Sequence, residues 1–461
     1  MRTDDSFGIA GGRAATAAIP IHVVERAGFE QAAAALPPAD RQWLRTQGFA
    51  GAPDSVALLP DAQGRLKAVW AGVCDAASPF ALSALPQSLP EGRYRLAEPA
   101  GMSETAVLSW ALGSYSYSRY KAPRRAPAQL ACAAGDATRR GLAMAQAIVQ
   151  VRDLVNTPAE EMGPAELAEV ARSLAKAHKG RFRQVVGDEL LAEGFPAIHA
   201  VGRASARKPR LIELNWGRPR DPRLVLVGKG VCFDSGGLDI KGAEGMRLMK
   251  KDMGGAANVL GLARLIMTLG LRVRLQVLIP AVDNAISGNA FRPGDVFRTR
   301  SGLHIEIGNT DAEGRVILCD ALAYGAEGRP ALMVDMATLT GAARVALGPQ
   351  LPALFCRDTA LARELVDRGM RLQDPMWHMP LWADYHPLIE SSIADIVNTG
   401  KNAHAGAITA ALFLQDFVPE AQPWMHLDLF AWNDAPRPGR PVGGEAQTIR
   451  TLLSYLEERF S

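Results

Sequence analysis

Apolar positions along this chain fall into two alternating rhythms. Short runs that are apolar almost throughout, Arg223–Val227, Arg274–Ile279 and Ala331–Asp335, read as buried strands. Between them the spacing turns helical: from near Gly254, small and apolar residues continue through Leu260, Leu262, Leu265 and Ile266 without an internal proline. Another helix covers Leu142–Val155 and is ended by Asn156-Thr157-Pro158. Earlier in the chain, Ile19–Val24, Val56–Leu59 and Ala68–Val73 read as strands among alanine-rich helical segments. This alternation predicts an α/β protein with a small N-terminal α/β domain over residues 1–120 and a Pro/Ala/Arg-rich linker over 121–135. The remainder, 136–461, is expected to form a second, larger domain, a mostly parallel sheet covered by helices on both faces, which its motifs mark as the catalytic one.

Composition narrows the function classes. With 461 residues, 48% hydrophobic and 21% charged, the chain is long enough for two or three globular domains. A net charge of +3 is too small to argue for nucleic-acid binding, and the basic cluster Arg119, Lys121, Arg124 and Arg125, interleaved with Tyr120 and Pro123, reads as a solvated linker. Five cysteines, at 74, 132, 232, 319 and 356, lack paired spacing and describe no disulfide framework, which fits a reducing compartment. The N-terminus carries Asp4 and Asp5 and no long apolar run, so neither a signal peptide nor a membrane span is expected, and a cytoplasmic location follows.

Chemistry concentrates in two acidic clusters. In Asn309-Thr310-Asp311-Ala312-Glu313-Gly314-Arg315, side chains two apart on an extended stretch point the same way, so Asp311 and Glu313 can aim at one cation. Upstream, the buried strand Leu224–Val227 feeds the loop Gly228-Lys229-Gly230, followed by Asp234, Lys241 and Asp252. Loops at the carboxyl ends of sheet strands are where α/β proteins bind ligands. Four crowded carboxylates repel one another unless cations neutralise them, and two divalent ions about 3.5–4 Å apart are a common solution. Beside a metal, Lys229 can lose its proton and become a nitrogen ligand, whereas Lys241 and Arg315 stay charged, able to polarise a carbonyl or hold an anion.

Other readings are blander. Lys250 and Lys251 read as solvated charges, and Met246 and Met253 as core filler. The eight histidines show no H-E-x-x-H spacing; His426, inside an apolar stretch, reads as a hydrogen-bonded core residue, and His304, His378, His386 and His404 as structural or surface groups. Gly228-Lys229-Gly230 lacks the Ser or Thr and the earlier glycine of a phosphate loop, Phe233 stands where a dinucleotide fingerprint needs glycine, and Ser235 is not in G-x-S-x-G.

These motifs together resemble the leucyl (cytosol) aminopeptidase family of two-metal exopeptidases. The matching strings are Val227-Gly228-Lys229-Gly230, Phe233-Asp234-Ser235-Gly236-Gly237, Ile240-Lys241, Lys251-Asp252-Met253-Gly254-Gly255-Ala256 and Asn309 to Arg315. Asp335 to Gly341, Ile393 to Asp395, Gly406 to Ala411, Trp424 to Asp428 and Arg152 to Pro158 extend the likeness over about residues 140–461. The resemblance implies one metal site of Lys229, Asp234, Asp252 and Glu313, and a more exchangeable one of Asp234, Asp311 and Glu313. It implies Lys241 as the catalytic lysine, Arg315 as the arginine that holds a bicarbonate ion, and Met249, Asn309, Ala312, Thr338 and Gly341 as the pocket for the first side chain. Departures from the family pattern, Cys232, Gly242 and His404-Ala405, remove no ligand.

The expected activity is release of N-terminal, apolar, leucine-like residues from peptides by attack of a hydroxide bridging two metals, manganese or zinc, with cobalt or magnesium as further options. The resemblance also implies a homohexamer. The alternatives are a DNA-binding member of the same family and another two-metal hydrolase such as a phosphoesterase.

Overall fold

The computed structural model describes residues 7–11, 18–97 and 103–461; Asp4 and Asp5 lie outside them. Contacts divide the chain into two units, residues 1–149 with 435–441, and 150–434 with 442–461.

The first unit contains a six-stranded sheet. Its strands are β1 (Ile9–Gly11), β2 (Ile19–Glu25), β3 (Val56–Pro60), β4 (Leu66–Val73), β5 (Arg93–Leu96) and β6 (Gln129–Cys132), in the order β1-β6-β5-β2-β4-β3. Every pairing is parallel except β3 with β4. Trp70 meets Phe29 and Phe49 edge-on at 6.2 and 6.4 Å, contacts that add about 0.5–1.5 kcal/mol each to the burial of the rings. The stretch read as a linker differs from that expectation at its end: β6 lies within it and pairs with both β1 and β5. Its four residues, Gln-Leu-Ala-Cys, are too short a run to stand out from the proline-rich sequence before them.

The second unit is built on a nine-stranded sheet. In chain order its strands are β7 (Arg181–Val186), β8 (Arg210–Trp216), β9 (Arg223–Gly228), β10 (Gly230–Asp234) and β11 (Arg274–Asn284). A small three-stranded sheet uses β12 (Val296–Arg298), β13 (His304–Glu306) and, later, β17 (Ile396–Val397), while β14 (Leu332–Ala337), β15 (Ala353–Cys356), β16 (Trp377–His378) and β18 (Trp424–Asp428) complete the large one. The order is β16-β15-β18-β14-β9-β11-β8-β7, with β10 alongside β11. The central strands β18, β14, β9 and β11 are parallel; β8 and β15 run antiparallel to their neighbours β11 and β18.

Leu224, Val225, Leu226 and Val227 are all fully buried, which is why β9 reads as a continuous apolar run rather than an alternating one. Val225 and Val227 share a core with Val316, Ile317 and Leu318 of the helix Glu313–Ala326. The helix Gly254–Leu269 also packs on β9 and β14, and ends where Gly270, at φ +72°, adopts the left-handed cap that returns its N–H to Ile266 O. β11 runs beyond the expected end at Ile279. Pro280 falls where its parallel partner changes from β9, last paired at Leu278, to β10, first paired at Ala281, so the missing N–H is tolerated. Inside the sheet, as expected, His426 is a core residue: its Nδ1 lies 2.6 Å from Asp335 Oδ1, while Trp424 Nε1 donates to Asp335 Oδ2 at 2.8 Å. Among the described residues no helix is long and apolar enough to cross a membrane.

Because the central strands are parallel, their carboxyl ends meet at one edge. Lys229, Asp234, Asn284, Thr338 and Asp428 end or directly follow β9, β10, β11, β14 and β18 there.

Candidate metal centre

Three buried carboxylates, of Asp234, Asp252 and Glu313, bring oxygens within 4.8 Å of one another at this edge. Asp234 closes β10, Asp252 sits in the 3-10 turn Met249–Met253, and Glu313 opens the helix Glu313–Ala326, whose N-terminus favours a negative side chain. Lys229 reaches into the cluster: its Nζ lies 2.7 Å from Asp252 Oδ2 and 2.9 Å from Glu313 Oε1, and donates to Thr338 O at 2.9 Å. It passes so close to the helix that a Cβ at position 314 would stand 2.7 Å from Lys229 Nζ, so the glycine of the Glu313-Gly314-Arg315 string is a steric requirement. Lys241 closes the other side, with Nζ 2.8 Å from Asp234 Oδ2 and in contact with Asp311 Oδ1.

Electrostatics follow from this crowding. Burial disfavours the Lys229 ammonium, but Asp252, Glu313 and Asp234 outweigh it and hold its pKa well above the ordinary value; Lys241 is raised against its burial by Asp234 and Asp311. Burial and the Asp234 charge push Glu313 up to about 8 and Asp311 up to about 6, against the pull of Lys229 and Lys241 respectively. Burial lowers Arg315 to about 10, opposed by Asp428 and Glu313, and its Nε has no hydrogen-bond partner.

The residues present fit divalent cations. Glu313 Oε2 is buried without a hydrogen-bond partner, and the donor set is carboxylate-rich with one amine, as hard cations and zinc accept.

A cavity of about 420 Å³ opens beside the cluster. Lys229, Asp234, Asp252, Asp311 and Lys241 line it, as do Met249, Thr338 and Gly341 of the expected side-chain pocket. Asn309 and Ala312 are not on its wall. Asn309 Oδ1 instead accepts from Asp311 N at 2.7 Å, shaping the turn that carries Asp311. Arg315 also lies off the wall and is buried.

Lys251 overturns its reading as a solvated charge: it is 6% exposed, with Nζ 4.9 Å from the Phe430 ring centre, and burial lowers its pKa. Lys250 is half-buried and donates to Asn156 O at 2.6 Å. The 3-10 turn over Met249–Met253 winds both lysines toward protein, which a string of charges cannot reveal.

Three further residues escaped the sequence reading. Asn284 Nδ2 donates to Asp234 Oδ1 at 2.9 Å and to Thr310 O at 3.0 Å, tying the two acidic loops together. Asp428 accepts from Leu339 N, Thr340 N and Thr340 Oγ1, anchoring the loop after β14. Asn398, fully buried, accepts from Gly308 N and Asn309 N on Oδ1 and donates from Nδ2 to Asn309 O and Ala312 O. Asparagines at turn-forming positions are common, and nothing local marks these two. Asn398→Ala is expected to destabilise the protein by roughly 2–3 kcal/mol, the cost of stranding buried loop groups. A thermal midpoint within one degree of wild type would show that the loop holds itself.

Comparison with known proteins agrees with the geometry. Residues 149–453 match the family model described as cytosol aminopeptidase family, catalytic domain, and residues 19–133 match that of the M17 aminopeptidase N-terminal domain. A probable cytosol aminopeptidase of Roseiflexus castenholzii is 42% identical over 366 residues, 75% of this chain and 74% of the relative. The crystal structure of the cytosol aminopeptidase of Coxiella burnetii superposes with a TM-score of 0.93 at 46% identity, covering 96% of this chain and 98% of that one. The bottromycin maturation enzyme BotP, in complex with Mn, gives 0.85 at 35%, covering 96% and 99%. A mutant of tomato leucine aminopeptidase gives 0.82 at 28%, covering 98% and 96%. With a buried carboxylate cluster at the carboxyl edge of its sheet, this chain belongs to the cytosol aminopeptidase family and is a metal-dependent aminopeptidase that acts on peptides.

Proposed function

We propose that this enzyme releases N-terminal, leucine-like residues and uses two divalent ions per subunit, manganese or zinc before cobalt or magnesium. The observation that carries the reading is the juxtaposition of Lys229, Asp234, Asp252, Asp311, Glu313 and Lys241 beside a cavity of about 420 Å³. Lys229, Asp234, Asp252 and Glu313 hold one ion; Asp234, Asp311 and Glu313 hold the other. Bound there, the ions supply Lewis-acid polarisation of the scissile carbonyl and a water-derived nucleophile at neutral pH.

The chain's own groups do the rest. Lys241, on the cavity wall, donates to the carbonyl oxygen as it gains negative charge. Arg315 holds a small anion, bicarbonate, for which its unpartnered buried Nε is suited. Met249 and Gly341, with Leu429, offer the first side chain an apolar wall, and Thr338 fixes the edge of that wall by donating to Asp252 Oδ1 at 2.9 Å. Asn309 and Ala312 shape the turn behind Asp311.

We place the enzyme in the cytoplasm, in keeping with relatives named cytosol aminopeptidase and with five unpaired cysteines. We place it in a homohexamer, as the resemblance implies; the exposed Trp377, Trp382, Tyr385 and Ile393 offer apolar surface of the kind that partner subunits cover.

Leucine p-nitroanilide hydrolysis by metal-stripped protein, with Mn, Zn, Co or Mg added back, tests the reading. Release is expected only on add-back, with Mn or Zn highest; no release with any ion would overturn it.

A further inference from the structure

Resting on the aminopeptidase reading of the same cavity, we infer that Lys251 and Arg344 on its wall bind a substrate carboxylate. The carboxylate comes from an acidic first side chain or from the free carboxyl terminus of a short peptide.

Lys251 lines the cavity yet is buried to 6% exposure, and among the described residues no hydrogen bond satisfies its ammonium. The carboxylate oxygen paired with it, Asp252 Oδ1, is 4.0 Å away and already accepts the Thr338 hydroxyl at 2.9 Å. A buried cation without such partners is costly, so a site that retains one has a use for it. Arg344, also on the wall, forms no ion pair among the described residues and lies over the same ring as Lys251: each cation is 4.9 Å from the centre of Phe430. Contact with the ring attracts each cation without neutralising it. Asp428, also on the wall, has its oxygens engaged by Leu339 N, Thr340 N and Thr340 Oγ1.

The cavity wall thus carries, besides the carboxylates of Asp234, Asp252 and Asp311, two cations that no close carboxylate neutralises, Lys251 and Arg344. N-terminal glutamate carries complementary groups: an amine for the carboxylate-rich metal site, two methylenes to lie against Met249, and a side-chain carboxylate for the two cations. Charge-assisted hydrogen bonds to that carboxylate are roughly twice as strong as those a neutral amide makes, so the isosteric neutral analogue is the proper comparison.

The experiment compares kcat/KM for glutamate and glutamine p-nitroanilides, which lack a terminal carboxylate, and for Leu-Gly and leucine-glycinamide, which isolate it. The charged member of at least one pair is expected to be favoured about tenfold. That preference should vanish in Lys251→Met and shrink in Arg344→Gln, and calorimetric binding of free glutamate against glutamine gives the side-chain ratio without turnover. The pair that responds identifies the source of the carboxylate. If Lys251→Met does not fold, Arg344→Gln, at an exposed position, carries the test. Ratios near one in both pairs, or ratios unchanged by the substitutions, overturn the inference while leucine p-nitroanilide hydrolysis stands. Loss of all hydrolysis by the wild-type protein overturns the aminopeptidase reading instead.

Discussion

Lys241→Ala is expected to lower kcat by about 10²–10³-fold, the usual effect of deleting one donor aimed at a developing oxyanion. Metal content should not fall with it. Lys241 Nζ now contacts both Asp234 and Asp311, two of the proposed ligands, so in the metal-free protein the lysine neutralises charge that the ions would otherwise balance. Removing it leaves those carboxylates less compensated and more attractive to a divalent cation, so affinity should hold or rise. The two readouts separate catalysis from structure. Turnover kinetics with metal analysis of the same preparation would show a crippled, fully loaded enzyme; near wild-type kcat, or loss of metal, would remove Lys241 from its assigned role. Lys241→Arg restores the charge but not the compact ammonium, and should recover part of the rate at most.

Glu313→Gln should abolish turnover through the opposite route, by emptying the site. Glu313 is assigned to both ion sites, so its replacement removes a charged ligand from each, and activity is expected to fall by at least about 10³-fold. The effect on the metal-free protein is the more informative part. Two forces oppose each other there. Glu313 Oε1 pairs with the buried Lys229 at 2.9 Å, and breaking a buried pair is destabilising by about 3–5 kcal/mol when the partner is left alone. Lys229 is not left alone, because Asp252 Oδ2 at 2.7 Å and Thr338 O at 2.9 Å remain, and the repulsion of Glu313 by Asp234 and Asp252 is relieved. Relief and loss nearly cancel, so the metal-free variant should melt close to the wild type. What disappears is the rise in melting temperature on adding metal, since an ion that binds only the folded state stabilises it by an amount that grows with the logarithm of one plus its free concentration over its dissociation constant. A variant that still gains stability and activity from Mn or Zn would show that Glu313 is dispensable to both sites.

Much of the site could be read from the chain because its chemistry is concentrated in short segments. Lys229 and Asp234 are separated by one short strand, and Asp311 and Glu313 by one residue. Such spacings keep the groups close together. The expected extended stretch is not what aims the second pair: Asp311 lies in the 3-10 turn Thr310–Ala312 and Glu313 opens the helix Glu313–Ala326, so the turn into that helix sets where the two carboxylates point. The strands were legible because a run such as Leu224–Val227 can be buried on both sides only in the middle of a covered sheet. The short β6 was not, since four residues after a proline-rich stretch carry no periodicity to detect.

Lys251 and the two asparagines mark the boundary of that legibility. Lys250 and Lys251 are chemically alike and adjacent, yet only Lys251 faces Phe430, a residue that follows the carboxyl end of β18, far away in the sequence. Asn398 and Asn284 matter because of what packing places beside them: Asn398 reaches the 308–312 loop across the small sheet, where β17 lies parallel to β13, and Asn284 faces Asp234 because β11 is in register with β10. Which residues bear charge, in what order, and which short runs must be buried are properties of neighbouring positions, and the chain states them directly. Whether a given lysine is solvated or trapped, which amide steadies a ligand, and how much space remains beside the ligands depend on strand register and on side chains brought together from distant segments. Those are settled by the collective packing of the sheet, whose energy no local window contains.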